Sequence, residues 1–143
     1  MDDSVAGVYL PGRATRWACP LLVWRVAAGF PSPAEDYVEG RIDLNRDLIK
    51  HPLATFYVRA DGDSMSPRIE PGDLLVVDRM VEPKNDDIVI ARINDTLCVK
   101  KIRIEDGGDI WLLSENKMYP PIQITEEMDF EVWGRVMYSI QQH

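Results

Sequence analysis

A chain of 143 residues with 45% hydrophobic and 28% charged residues is sized for one domain with a real core and a tail. Its formal net charge of -8 opposes the phosphate backbone, which excludes strong direct binding to nucleic acid. No apolar stretch outruns Leu21 to Trp24, which is broken by Arg25 and falls far short of the roughly 20 residues that cross a bilayer.

Asp2 and Asp3 stand where a signal peptide would carry basic residues, so no export is expected. Cys19 and Cys98 have neither CxxC spacing nor neighbouring histidines. No metal or cofactor is expected, and the two cysteines read as thiols of a reducing compartment, the cytoplasm.

In chain order, residues 1–28 show scattered glycine and proline and no sustained period. They read as a flexible arm with little structure of its own. Arg13, Arg16 and Arg25 outnumber Asp2 and Asp3, so a mildly basic arm precedes an acidic body. Residues 29–35, with Pro31 and Pro33, read as a stiff extended connector. A short helix follows: Asp43 caps it, Leu44 and Leu48 share one face, and Pro52 stops it.

From Thr55 the pattern turns to strands. Thr55 to Val58 is β-branched and aromatic, and Leu74 to Val77 follows a turn at Pro71-Gly72-Asp73. Ile88 to Ile90 leads through the turn residues Asn94-Asp95 into Leu97–Ile104. Gly107-Gly108 precedes Ile110–Leu113, and Phe130 to Ile140 closes the chain. The expected fold is mostly β: a compact, twisted antiparallel body with a short helix and an extended N-terminal arm. The expected division is an arm at 1–28 and a β-rich domain at 29–143.

Two segments carry chemistry. Ser64 lies in the glycine-punctuated turn Gly62-Asp63-Ser64-Met65, just beyond a strand ending near Ala60. A serine so placed can expose its hydroxyl, while nearby backbone N–H groups hold an oxyanion. It can equally be an ordinary polar turn residue. Lys100 and Lys101 sit in an alternating run, so they point to opposite sides and one should be much drier. A lysine acting as base must shed its proton near neutral pH, and desolvation promotes this by disfavouring the charged form. Two surface lysines guarding a sheet edge are the plainer reading of the pair. His51, beside Pro52, and the terminal His143 do not suit a histidine triad, and no HExxH cluster occurs.

The segments Phe30 to Glu39, Arg41 to Asn45, Gly62 to Met65, Gly72 to Leu75 and Val99-Lys100-Lys101 together resemble the LexA/UmuD family of self-cleaving serine–lysine proteases. The resemblance covers nearly everything from Gly29 onward. It implies Ser64 as nucleophile, Lys100 as base because the family lysine directly follows a valine, and Ala28-Gly29 as the bond cut. It also implies that Asp63, Ser64 and Met65 form the nucleophile and oxyanion loop. The small residues Ala27, Ala28 and Gly29 would let the arm's backbone approach closely, and tethering the substrate raises its effective concentration.

A DNA-reading helix-turn-helix precedes the cleavage site in LexA-type repressors. Twenty-eight residues broken by Pro11, Gly12 and Pro20 are too few for one. The resemblance therefore implies the mutagenesis branch, with an SOS-response role as a homodimer. In that role a RecA–single-stranded DNA filament stimulates cleavage. The trimmed form serves a UmuC-type translesion polymerase, with a sliding clamp and a degradation protease as further partners. Two other readings compete. One is a catalytically idle polymerase or clamp adaptor. The other is a signal-peptidase relative, whose nucleophile motif Ser64-Met65-Ser66-Pro67 also resembles but whose membrane anchor is missing.

Overall fold

The computed structural model describes residues 5–10, 18–22 and 38–143. Its strands are β1 (Val5–Tyr9), β2 (Ala18–Leu22), β3 (Val38–Asp43), β4 (Thr55–Ala60), β5 (Leu74–Asp78), β6 (Ile88–Ile93), β7 (Thr96–Ile104), β8 (Ile110–Leu113), β9 (Ile122–Gln123) and β10 (Phe130–Ile140). The one α-helix among the described residues, α1, spans Leu44–Leu48, and a 3-10 turn spans Pro52–Ala54. The chain divides into two compact units, one of Met1–Pro11 with His51–His143 and one of Gly12–Lys50.

The larger unit is an eight-stranded antiparallel sheet in the order β1-β4-β5-β10-β6-β7-β8-β9. It curls so that β1 also comes against β7. The mostly β, antiparallel body expected from the sequence is the one observed. Strand β6 shows why. Ile88 and Ile90 enter a cluster with Phe56, Val58, Leu75, Val77 and Val99, while Val89, Ala91 and Ile93 enter a second cluster with Cys98, Ile102 and Leu112. A strand covered on both faces reads as a continuous apolar run, and each fully buried aliphatic contributes about 1.5–3 kcal/mol. Trp133 of β10 meets Phe56 edge-on at 6.2 Å between ring centroids, closing the first cluster.

The turn chemistry matches its geometry. Ile93 pairs with Thr96, leaving Asn94-Asp95 as a two-residue hairpin turn, with Asn94 at φ 54. Gly108, at φ +89, donates its N–H to the carbonyl of Glu105 at 2.8 Å between β7 and β8. These two turns fix the register that places the lysines of β7.

In the smaller unit β2 pairs antiparallel with β3, and α1 follows directly. Asp43 caps the helix, its Oδ1 accepting from Asn45 N at 3.0 Å, while Asp47 Oδ2 accepts from Asp43 N at 2.8 Å. The helix ends at Leu48 because Ile49 is already extended, at φ -98 and ψ 108. Pro52 therefore does not stop it; it opens the 3-10 turn instead, where its fixed φ is suited.

The described parts of the first 28 residues, 5–10 and 18–22, carry more structure than their composition suggests. Val5–Tyr9 is an edge strand on β4, and Ala18–Leu22 pairs with Val38–Asp43. Gly7 and Pro20 hide the strand pattern, but β2 lies in a two-stranded sheet, where a proline is tolerated on the open edge. The expected connector at 29–35 lies outside the described residues.

Two outcomes follow from this packing. A Cβ at Gly134 would sit 2.9 Å from both the Asp78 carbonyl oxygen and Val77 Cγ1. Gly134→Ala should therefore destabilise the fold by about 1–3 kcal/mol, read as a lower denaturation midpoint at unchanged slope. The Arg92 guanidinium, bonded to Asp129 at 3.0 and 3.2 Å, holds that exposed carboxyl below its usual range. A depressed folded value means the contribution is present above the ordinary carboxylate range and is lost as pH falls through the folded value. Asp129→Asn should be slightly less stable than the parent at neutral pH, with the difference vanishing in acid.

Candidate active site

The turn after β4 is built to hold one serine. Gly62 takes φ 69, a left-handed conformation that its missing Cβ permits. Ser66 N donates to the Asp63 carbonyl at 3.1 Å, and Ile69 N donates to the Met65 carbonyl at 2.9 Å. Met65 and Ile69 bury their side chains in the first apolar cluster and pin the turn on either side. Ser64 is 1% exposed, and its Oγ has no hydrogen-bond partner. An unpaired buried hydroxyl costs about 1–3 kcal/mol, so its retention calls for a role. It lines a small concavity with Gly62, Met65 and Val99, the residue before Lys100.

The two lysines of β7 differ as alternation requires. Lys100 is 1% exposed, whereas the Lys101 side chain is 24% exposed and pairs with Glu115 at 3.2 Å. Lys100 Nζ donates to Ser114 Oγ at 2.8 Å and stands 5.4 Å from the centroid of the Tyr119 ring. The buried amine thus meets a hydroxyl and an aromatic face, both electron-rich partners for its N–H groups.

The segment from Ser114 to Tyr119 ties these parts together. Asn116 N donates to the Ser64 carbonyl at 3.0 Å, and Asn116 Nδ2 donates to the Asp63 carbonyl at 3.1 Å. The Tyr119 hydroxyl donates to Asp63 Oδ1, and Glu115 reaches Arg68 at 3.4 Å as well as Lys101. One short stretch therefore grips the serine turn on one side and the lysine strand on the other.

Of the residues singled out in the sequence, Asp63, Ser64, Met65 and Lys100 are brought to this place. No hydrogen bond joins Ser64 Oγ to Lys100 Nζ. Met65 anchors the turn through its side chain, and Asp63 accepts from Tyr119. Ala28 and Gly29 lie outside the described residues. His51 is set apart: its Nδ1 lies 2.6 Å from Oδ2 of the buried Asp78. Ser114, Asn116 and Tyr119 were not singled out from the sequence. Read as a two-residue turn, Gly107-Gly108 would set Glu115 opposite Lys100; the connection instead runs from Glu105 to Asp109, and that one-residue shift is what brings Ser114 there. Nothing local marks Asn116 or Tyr119, whose partners lie 53 and 56 residues away.

Among the described residues no cluster of His, Cys, Asp and Glu could hold a metal ion. No helix among them is long and apolar enough to cross a membrane.

Comparison with known proteins agrees with this architecture. Residues 20–137 match the family described as Peptidase S24-like. The chain is 45% identical over 114 residues to Protein SamA of Salmonella typhimurium, covering 79% of this chain and 80% of that protein. It is 36% identical over 126 residues to Protein MucA of Escherichia coli, covering 87% and 85%. It is also 38% identical over 122 residues to LexA repressor 1 of Pseudomonas putida, covering 82% of this chain but 59% of the repressor. By motif, fold and extent of match, the chain belongs to the peptidase S24-like family, the LexA/UmuD family that its motifs resemble.

Proposed function

We propose that the chain is a self-cleaving serine peptidase in which Lys100 activates Ser64 to cut the bond between Ala28 and Gly29. The observation that carries this reading is a buried Ser64 whose hydroxyl is unpaired and whose backbone carbonyl is bound by the same segment that binds the buried Lys100 amine. In the cleavable state an uncharged Lys100 takes the Ser64 proton, and Ser64 Oγ attacks the carbonyl carbon of Ala28. Backbone N–H groups of the 63–65 turn face the oxyanion. The Gly29 nitrogen leaves with the proton returned from Lys100, and water then releases Ala28 from the serine.

No hydrogen bond joins the Ser64 hydroxyl to Lys100, which suits an enzyme restrained until its cleavable conformation is favoured. A ligand promotes that state only by binding it better. In the role proposed here that ligand is the RecA–single-stranded DNA filament. The protein acts in the cytoplasm as a homodimer in the SOS response. Its form trimmed at Gly29 is an accessory subunit of a UmuC-type error-prone polymerase, with a sliding clamp and a degradation protease as further partners. The missing hydrogen bond between Ser64 and Lys100 also favours a second reading, an adaptor whose dyad is idle.

Mass spectrometry after incubation at raised pH, with and without activated RecA filament, separates the two. The peptidase reading expects fragments 1–28 and 29–143. Ser64→Ala and Lys100→Ala should each slow their appearance at least about a hundredfold, while Lys101→Ala cleaves normally. An intact chain under every condition establishes the adaptor. Asn116→Ala, which removes the side-chain bond to Asp63, should slow cleavage about tenfold through misplacement of the serine turn.

A further inference from the structure

We propose that Ser114 is the positioning residue for the Lys100 amine. This inference rests on the assignment of Lys100 as base and deepens it.

The hairpin places the two residues together. β7 and β8 pair with Lys101 opposite Leu113 and Ile102 opposite Leu112. One step further along the same register sets Ser114 opposite Lys100, and directly opposed residues of an antiparallel pair project to the same face. The bond is made: Lys100 Nζ to Ser114 Oγ is 2.8 Å, and Lys100 is 1% exposed. A hydroxyl at this point gives the amine a fixed, directional acceptor. Lysine reaches its amine through a flexible four-carbon stem, and a neutral amine carries two N–H groups and a single lone pair. To act on Ser64, that lone pair must face the serine hydroxyl. Donating one N–H to a fixed acceptor restricts the rotation about the Cε–Nζ bond and leaves fewer directions for the lone pair. The Tyr119 ring, 5.4 Å from Nζ, confines the amine from another quarter without a directional bond.

Ser114 is itself well fixed. Strand β8 ends at Leu113 immediately before it, and two residues later Asn116 N binds the Ser64 carbonyl. The acceptor for the base and the clamp on the nucleophile therefore belong to one three-residue stretch. A displacement of that stretch changes the serine–lysine geometry from both sides.

Two rates measured on the full chain test this: self-cleavage, and labelling of Ser64 by a fluorophosphonate, which needs an activated serine but no arm in the site. Ser114→Ala should lower both together by on the order of tenfold to a hundredfold. The loss should persist at neutral and alkaline pH alike, because orientation and not protonation is missing. Ser114→Thr, which keeps the hydroxyl, should return both rates to within about threefold of the parent, a rescue that a packing role would not give. The proposal is overturned if Ser114→Ala keeps parental rates, if alkaline pH alone restores it, or if threonine is no better than alanine. Should Ser114→Ala fail to fold, Ser114→Cys, of similar shape with a weaker acceptor, is read by the same two rates. Lys100→Ala is the control for the underlying assignment. If it cleaves normally, the base has been misassigned, a failure distinct from a Lys100-dependent enzyme indifferent to Ser114.

Discussion

The structure turns on an amine placed where water does not reach it. Lys100 is almost wholly enclosed, and an enclosed amine is tolerated only when polar or polarisable groups replace its hydration. The Ser114 hydroxyl and the face of Tyr119 do so here. Both come from the stretch that follows β8, so the sheet must close through β7 and β8 before the amine has any place to go. The curled sheet is the scaffold that makes this burial affordable.

That same stretch also reaches the serine turn. It is bonded to the backbone at Asp63 and Ser64, and it is ion-paired to Arg68 beyond them. The turn carrying Ser64 is thus fastened from outside by Asn116 and Glu115 and from inside by Met65 and Ile69. Against so much fastening, one hydroxyl is left without a partner.

How much of this could be read from the chain depends on the range of the forces involved. The strands from Thr55 onward announce themselves, because alternation and turn residues are local signals. So does the contrast between Lys100 and Lys101, a direct consequence of the two-residue period. The cap at Asp43 was equally legible. Strands β1, β2 and β3 were not, since Gly7, Pro20 and Gly40 break their patterns and pairing alone makes them strands. Strand β9, at two residues, is too short to show a period. The partners of the site were hidden for a different reason. Asn116 and Tyr119 meet Asp63 only after the sheet has curled, and no spacing along the chain encodes that meeting. Ser114 was hidden by the turn itself, because the connection between β7 and β8 spans Glu105 to Asp109 and shifts the register by one residue from the one that Gly107-Gly108 alone would set.

The strand at Val5–Tyr9 gives β4 its outer neighbour. With it in place, β4 is flanked on both sides and its backbone groups are consumed by β1 and β5. A polypeptide starting at Gly29 would have no such cover, and Thr55–Ala60 would become the rim of the sheet. Rim strands present a row of unmet donors and acceptors that invite another extended peptide to join. Losing its leading residues would thus do more than shorten this molecule: it would change which part of the sheet is sticky.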